Sequence, residues 1–192
     1  MKIALVSLNQ IWEDKSKNLD LCISYIKKAK NENADLIIFP EMTLTGFSMA
    51  IDKTAEDENN NNTLKKFQQL AQDYDIAIIF GMVINDNIKA RNRAYFIDKS
   101  GDIFDSYDKI HPFSFAGEDK YFYGGNKVCY TKFNDFRIGL SICYDLRFPE
   151  LYTILSKECD LVINIANWPS KRIEHWDTLL KARSIENMSY TI

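Results

Sequence analysis

Three side chains that could carry out covalent chemistry each follow a segment typical of a buried strand. Glu41, Lys109 and Cys143 come directly after the segments Leu36–Pro40, Ile103–Asp108 and Phe136–Ile142, respectively. In α/β folds, such strand ends are where sites are built. A thiolate nucleophile needs a base that takes its proton and a donor that holds the oxyanion of the tetrahedral intermediate. Glutamate, lysine and cysteine can supply these roles, so the pattern predicts catalysis by a cysteine nucleophile.

Each of these residues also has a structural interpretation. Cysteine is among the most buried residue types, so Cys143 could belong to an inert core. Glu41 could cap the turn after its strand, and Lys109 could be a solvated charge at a sheet edge. Cys143 could also pair with His111 or His175, as in papain-like hydrolases. We rank this pair second, because one histidine lies beside the lysine in a turn and the other lies at a predicted helix start.

Apolar runs and helical periodicity predict the elements that position these residues. We expect strands over Lys2–Leu8, Leu36–Phe39, Ile76–Ile84, Arg93–Asp98, Ile103–Tyr107, Val128–Phe133, Phe136–Ile142 and Leu161–Ala166. We expect a helix capped by Asn18, and further helices over Thr63–Tyr74, Glu150–Lys157 and Glu174–Met188. The polar segment Asp52–Asn62 is predicted to be an exposed connection. The order of elements indicates an α/β domain with two sheets and outer helices.

Composition and charge exclude several classes of protein. The chain has 192 residues with 46% hydrophobic and 27% charged side chains, which is typical of one globular domain over residues 1–192. A net charge of -3 gives no basic surface for nucleic acid, and no apolar run is long enough to span a membrane. Four cysteines without CxxC spacing indicate reduced thiols and a cytoplasmic protein. Two histidines without an HExxH motif predict neither a metal nor another cofactor.

The surroundings of the three side chains form motifs in a fixed order. These motifs are Phe39–Glu41 with Thr45–Phe47, Tyr107–His111, Cys143–Glu150, Ala166–Pro169 and His175–Asn187. Together they resemble the glutamate, lysine and cysteine motifs, and the pocket-closing stretch, of the nitrilase superfamily of carbon–nitrogen hydrolases. Phe115–Glu118 is similar to the family segment that carries a second glutamate. The resemblance covers essentially the whole chain.

This resemblance implies a four-layer α-β-β-α sandwich that is usually dimerised through its outer helices. It also implies amide hydrolysis through a cysteine thioester, with release of ammonia and a carboxylic acid. Cys143 would be the nucleophile and Glu41 the base, while Lys109 and the backbone N–H of Tyr144 would hold the oxyanion. Glu118 would lie beside the lysine. We therefore expect a homodimeric amidohydrolase that acts on a small-molecule amide.

Within the family, Cys143–Pro149 together with Ala166–Pro169 is most similar to the omega-amidase branch. The resemblance implies action on the terminal amide of short 2-oxo dicarboxylic acid monoamides such as 2-oxoglutaramate. The anionic end of that substrate needs a cation, and Arg172 is the first candidate because its planar fork binds a carboxylate bidentately. Lys171 is the second candidate, and a solvated charge is the competing interpretation of Arg172. The other expected substrate contacts are Asn167, Trp168 and Phe115.

The end of the chain leads to a separate expectation. Ser189–Ile192 begins a β-type segment, whereas the resembling family continues through further strands. We therefore expect the C-terminal part of the family domain to be absent and the fold to be truncated. Two alternative functions remain: another small-amide or nitrile hydrolase of the superfamily, or an inactive truncated scaffold with an interaction role. An ammonia-release assay distinguishes an active hydrolase from such a scaffold.

Overall fold

The N-terminal half of the chain builds the first sheet from alternating strands and helices. A computed structural model describes residues 1–192. Strands β1 to β5 follow one another in space and are Ile3–Leu5, Leu36–Ile38, Ala77–Asp86, Lys89–Ile97 and Ile103–Asp108. The first three strands are parallel, whereas β4 and β5 pair antiparallel. Parallel neighbours need crossover connections, and these contain α1 (Lys15–Asn31), α2 (Ile51–Thr54) and α3 (Asn62–Tyr74).

The C-terminal half builds the second sheet and its covering helices. Strands β6 to β9 are Tyr130–Phe133, Phe136–Ile142, Leu161–Ile165 and Tyr190–Thr191, in that spatial order. The β6–β7 pair is antiparallel, and β7, β8 and β9 run parallel. The helices of this half are α4 (Glu118–Tyr121), α5 (Pro149–Leu155) and α6 (Ile173–Asn187). Pro149 begins α5, where its missing N–H would have no helical partner in any case.

Three apolar clusters show how the layers stack. The first packs α1 and α3, through Ile26 and Phe67, on the outer face of the first sheet. The second fills the space between the sheets, where Phe96 of β4 and Leu140 of β7 are buried. The third packs α5, through Tyr152, on the outer face of the second sheet. The order of helix, sheet, sheet and helix confirms the predicted α-β-β-α sandwich. None of the helices combines the length and apolar character needed to cross a membrane.

The start of α1 differs from the sequence prediction. Asp14, rather than Asn18, is the N-cap, and its side chain accepts the backbone N–H of Lys17. Asn18 is fully buried inside the helix, where its amide donates to the carbonyls of Ile11 and Leu44. An asparagine is favoured at helix starts, but here the same hydrogen-bonding capacity joins α1 to two loops. Local sequence does not distinguish these two uses.

The connection between β2 and α3 is more ordered than predicted. The sequence predicts an exposed connection over Asp52–Asn62, yet α2 occupies its first residues and Glu56 pairs with Ile84 in an isolated β-bridge. Asn61 is buried and caps α3 by accepting the backbone N–H of Leu64 at 2.8 Å. The polar side chains therefore satisfy backbone groups of neighbouring elements, which stabilises a segment with little apolar surface.

Candidate active site

Glu41, Lys109 and Cys143 converge where β2, β5 and β7 end. The ammonium nitrogen of Lys109 lies 2.9 Å from Oε1 of Glu41 and 2.8 Å from Oε2 of Glu118. Both glutamates are fully buried, and Lys109 is only 1% exposed. The charge of the Glu41 carboxylate acts on the thiol of Cys143. The structure therefore brings the three strand-end residues to one place and sets the second glutamate beside the lysine.

Close contact with β3 fixes the backbone around Glu41. The N–H of Thr43 donates to the carbonyl of Gly81 at 2.8 Å, and the N–H of Gly81 donates to Oγ1 of Thr43 at 3.0 Å. A Cβ atom at Gly81 would lie 2.6 Å from the backbone nitrogen of Met42, so only glycine permits this approach. The amide of Gln10 donates to the carbonyls of Met42 and Thr43. The turn that carries Glu41 is thus held from two sides.

Cys143 occupies a sharp turn with a left-handed backbone. Its φ is 47°, a value at which a non-glycine residue is strained unless its surroundings compensate. The backbone N–H of Cys143 donates to Oδ1 of Asn164 at 2.9 Å. The amide nitrogen of Asn164 donates to the hydroxyls of Ser141 and Tyr152, both at 2.9 Å. These two bonds fix the orientation of the Asn164 amide, which in turn stabilises the backbone of the candidate nucleophile.

Asp145 joins the lysine-bearing turn to the cysteine-bearing turn. Its fully buried carboxylate accepts the hydroxyl of Tyr107 at 2.7 Å. It also accepts the backbone N–H groups of His111 and Ile142 at 2.9 and 3.0 Å. One carboxylate therefore holds the two turns in register, although the sequence analysis assigned it no role.

Neither histidine is a partner of Cys143. Nδ1 of His111 lies 2.8 Å from a carboxylate oxygen of Asp145. Nδ1 of His175 lies 3.2 Å from the guanidinium of Arg147. Both rings are thus engaged elsewhere, and the alternative Cys–His pair has no geometric support.

Two asparagines orient the carboxylate of Glu41. Nδ2 of Asn92 donates to Oε1 at 2.7 Å, and the backbone N–H of Asn167 donates to Oε2 at 2.9 Å. Asn167, which the sequence analysis placed against the substrate, therefore also anchors Glu41. Asn92 was missed. It alternates with Ala90 and Ala94 on the buried face of β4, and a polar residue at such a position was a signal that could have identified it.

Burial and charge act together on the ionisable groups of this cluster. Burial, followed by the charge of Glu41, raises the pKa of Cys143 well above its ordinary value, although Lys109 opposes this. Burial also raises the pKa of Glu118, again opposed by Lys109. Burial alone would lower the pKa of Lys109, but its carboxylate and thiol neighbours outweigh burial and raise that pKa above the ordinary lysine value. The cysteine therefore keeps its proton until a base removes it, and the lysine stays charged.

Cys143 opens onto a pocket of aromatic and cationic side chains. The residues that line it are Phe47, Phe113, Cys143, Tyr144, Arg147, Asn167, Trp168, Pro169 and Arg172. The guanidinium of Arg172 lies 5.4 Å from the ring centre of Phe113, and that of Arg147 lies 5.0 Å from the ring of Trp168. The structure thus places the predicted Arg172, Asn167 and Trp168 in the pocket wall. It adds Arg147, which the sequence analysis did not single out as a substrate contact.

Two of the predicted substrate contacts lie outside the pocket wall. Phe115 is 91% exposed, because the short 3₁₀ turn Ser114–Ala116 directs its ring into solvent. Phe113, two residues earlier, lines the pocket in its place. Lys171, the second candidate for the anion, is exposed and also absent from the wall. Residue type alone could not decide which ring or which cation turns inward.

A larger groove lies beside this pocket. It has a volume of about 580 Å³, runs along β1, β2 and β8, and is lined by residues such as Leu5, Phe39, Ile163 and Trp176. No charged side chain and no candidate nucleophile lines it, so the pocket at Cys143 is the better candidate for a reacting substrate. No group of three or more His, Cys, Asp or Glu side chains is arranged to hold a metal ion.

Comparisons with curated proteins give several relatives above 30% identity. The chain is 31% identical to the hydrolase in the agr operon of Staphylococcus aureus, with 100% of this chain and 75% of that protein covered. It is 34% identical to omega-amidase YafV of Yersinia enterocolitica, covering 99% of this chain and 72% of the relative. It is 30% identical to 2-oxoglutaramate amidase of Bacillus subtilis, covering 91% and 68%. All three alignments span most of both partners.

Solved structures and a family model agree with these relatives. A CN-hydrolase superfamily protein of Xanthomonas campestris, solved with an arsenic adduct in its active site, superposes with a TM-score of 0.89 at 31% identity. That match covers 98% of this chain and 73% of the other. An amidase from Nesterenkonia sp., at 23% identity and a TM-score of 0.90, has the same fold. The carbon-nitrogen hydrolase family model matches residues 2–192. The chain therefore belongs to the carbon-nitrogen hydrolase family, within the nitrilase superfamily, and is a hydrolase of carbon–nitrogen bonds.

Proposed function

We propose that this chain is an omega-amidase that hydrolyses the terminal amide of a short dicarboxylic acid monoamide of the 2-oxoglutaramate type. The observation that carries the proposal is a buried Glu41–Lys109–Cys143 cluster that opens onto a pocket with two arginines. The similarity to proteins named omega-amidase and 2-oxoglutaramate amidase supports the choice of substrate class.

Thioester formation begins with the removal of the cysteine proton. The carboxylate of Glu41 lies close enough for its charge to act on the Cys143 thiol. It takes the thiol proton, and the sulfur attacks the amide carbon. The charge that develops on the carbonyl oxygen is held by the ammonium of Lys109 and the backbone N–H of Tyr144. Glu41 then gives its proton to the departing nitrogen, so ammonia leaves and a thioester of Cys143 remains.

Hydrolysis of the thioester repeats these roles with water as the nucleophile. Glu41 removes a proton from the water that attacks the thioester carbon, and the same donors hold the second oxyanion. The carbon–sulfur bond breaks, the proton returns from Glu41 to the sulfur, and the carboxylic acid product leaves. Lys109 stays protonated throughout, because the carboxylates around it raise its pKa.

The pocket wall supports a substrate with a negative charge at the end remote from the amide. Arg147 and Arg172 are both half-buried, and neither forms an ion pair with a carboxylate of this chain. A guanidinium without a carboxylate partner is suited to bind the carboxylate of a ligand through two parallel hydrogen bonds. We assign this role to Arg172 first and to Arg147 as the second cation.

Replacement of the nucleophile tests the proposed chemistry. Cys143→Ala should lower ammonia release from 2-oxoglutaramate by at least about 1000-fold, because no thioester can form. The measurement is a steady-state ammonia assay, together with intact-protein mass spectrometry of trapped acyl adducts on the wild type. Cys159→Ala, at another buried cysteine, is the matched control and should keep its activity. Full activity of Cys143→Ala would refute the mechanism, and a wild type that acts on no amide or nitrile would favour the inactive-scaffold alternative.

A second substitution tests the proposed specificity. Arg172→Ala should raise KM for 2-oxoglutaramate by about 10- to 100-fold, because a charged hydrogen-bonding partner is lost. The KM for a neutral short amide should change little. The assay compares both substrates on the same preparations, with Lys171→Ala as the exposed neighbouring control. Equal losses for both substrates would make Arg172 a structural residue, and a wild-type preference for nitriles or long amides would indicate another branch of the superfamily.

A further inference from the structure

Asn92 lies between the two carboxylates of the site and contacts both. It is on β4, is 1% exposed, and its Nδ2 donates to Oε1 of Glu41 at 2.7 Å and to Oε1 of Glu118 at 3.0 Å. Its Oδ1 is buried and has no hydrogen-bond partner. A flip of the Asn92 amide by 180° would place Oδ1 against two carboxylates. The negative charges of those carboxylates therefore favour the observed orientation, in which Nδ2 faces them. Both donors of this side chain are therefore used on the catalytic cluster, while its acceptor is left unpaired.

The donors around Glu118 occupy all of its acceptor positions. An ionised carboxylate offers about four lone-pair positions. On Glu118, Oε1 accepts from Asn92 and from Lys109 at 3.1 Å, and Oε2 accepts from Lys109 at 2.8 Å and from the backbone N–H of Phe113. This carboxylate therefore has no free position with which to take a proton.

Glu41 has the complementary arrangement. Its Oε1 accepts from Asn92 and Lys109, and its Oε2 accepts from the backbone N–H of Asn167. Three donors occupy three of about four positions, and the remaining position is available to the thiol of Cys143, on which the charge of Glu41 acts. Glu41 thus keeps one unoccupied acceptor position, whereas Glu118 keeps none. The two carboxylates share two donors, Lys109 and Asn92.

The amide also suits the charge of the cluster. Two carboxylates surround one ammonium, so a second group is needed that donates to both without adding charge. A second cation would stabilise the ionised Glu41 further and weaken it as a base, whereas a carboxylate would repel both glutamates. A neutral amide with two N–H donors meets both requirements.

We propose that Asn92 is a positioning residue, which sets the spacing of Glu41 and Glu118 around Lys109 and leaves one acceptor position of Glu41 directed at the Cys143 thiol. This inference rests on the proposed function of Glu41 as the base. Hydrogen bonds to an ionised carboxylate favour that form, so loss of Asn92, which donates to both carboxylates, should make the carboxylate pair around Lys109 take up a proton at a higher pH.

The test uses two variants, Asn92→Ala and Asn92→Asp, and two readouts. The first readout is the pH dependence of kcat/KM for 2-oxoglutaramate. The second is the pH dependence of the alkylation of Cys143 by iodoacetamide, which needs no substrate. In both variants the acidic limb of each profile should move to higher pH by about one unit. kcat should fall by about tenfold or more, while KM stays within about twofold.

Controls separate positioning from a general loss of structure. Asn85→Asp adds the same charge at an exposed site on β3 and should leave both profiles unchanged. Thermal midpoints identify any variant that fails to fold. If one of the two Asn92 variants does not fold, the pH profiles of the other test the proposal. An acidic limb at the wild-type pH in a folded variant would overturn the proposal, even if kcat falls. If the wild type does not hydrolyse the amide, the proposed function fails, but the alkylation profiles still decide the role of Asn92.

Discussion

Glu118 is the buried carboxylate that the proposed mechanism does not use for proton transfer. Both of its oxygens lie within 3.1 Å of the ammonium of Lys109, and one accepts the backbone N–H of Phe113. A fully buried negative charge is costly unless it is paired. The ion pair with Lys109 offsets that cost, and it holds the lysine where the proposed mechanism requires an oxyanion donor. We therefore expect its removal to affect turnover more than substrate binding.

Glu118→Gln tests this expectation by replacing the carboxylate with a neutral amide. The substitution keeps the size of the side chain but removes the charge that orients Lys109. We expect kcat for 2-oxoglutaramate to fall by about 10- to 100-fold, with KM nearly unchanged. Asp119→Asn, the exposed neighbour, is the control for loss of one negative charge. Steady-state kinetics provide the measurement, and unchanged turnover in Glu118→Gln would show that this carboxylate is dispensable.

At the scale of elements, the position of Glu41 depends on how closely its turn approaches β3. Because Gly81 has no side chain, the backbone of residues 41 and 42 can pack directly against it. A Cβ atom at position 81 would lie within 3.1 Å of those backbone atoms. Backbone atoms cannot move aside as the end of a flexible side chain can. A single methyl group here must therefore displace either β3 or the turn that carries Glu41.

Gly81→Ala should lower kcat/KM by about 100-fold, because displacement of a reacting group by about 1 Å has an effect of that order. Ile88→Ala, in the exposed turn at the end of the same hairpin, should leave kcat/KM unchanged. The measurement combines steady-state kinetics with the thermal midpoint of each variant. Wild-type kcat/KM in Gly81→Ala would mean that the turn can shift without loss of alignment.

At the scale of the whole molecule, buried thiols connect stability to pH. All four cysteines are buried and unpaired, and burial raises the pKa of Cys22 and of Cys159 from 9.0 to about 12. Burial also raises the pKa of Tyr107 and Tyr152 above the ordinary value of 10.0. Above about pH 9 the unfolded chain loses thiol protons that the folded chain retains. The unfolded state then binds fewer protons, so the free energy of unfolding falls as pH rises.

We therefore expect the free energy of unfolding to fall by at least about 1 kcal/mol between about pH 8 and pH 10. Urea denaturation at a series of pH values measures this slope. Cys22→Ala removes one buried thiol and should make the slope shallower, whatever it does to the stability at pH 8. A flat dependence over this range, or an unchanged slope in Cys22→Ala, would contradict the prediction.

Residue pattern and spacing were enough to predict an α/β domain with two sheets and to single out Glu41, Lys109 and Cys143 as candidate site residues. Apolar alternation and helical periodicity are local properties, and they located most strands. The four-layer order was predicted from the family resemblance. These three residues were identifiable because each follows a segment typical of a strand, and strand ends are where sites are built in α/β folds. Local pattern failed at Asn18, whose side chain donates to the distant carbonyl of Leu44. It also failed over Asp52–Asn62, where the backbone of Glu56 pairs with Ile84.

Which polar side chains support Glu41, Lys109 and Cys143 depends on contacts between segments far apart in the chain. Asn92 meets Glu41 across 51 positions of sequence, and Asn167 meets it across 126. Asp145 likewise joins two turns that are distant in sequence. Arg147 lies in the pocket wall, whereas Phe115 is exposed to solvent. The physical reason is that a hydrogen bond or a pocket depends on the distance and direction between atoms. The packing of the two sheets and the local turns set these distances and directions. The spacing of residues along the chain does not reveal them.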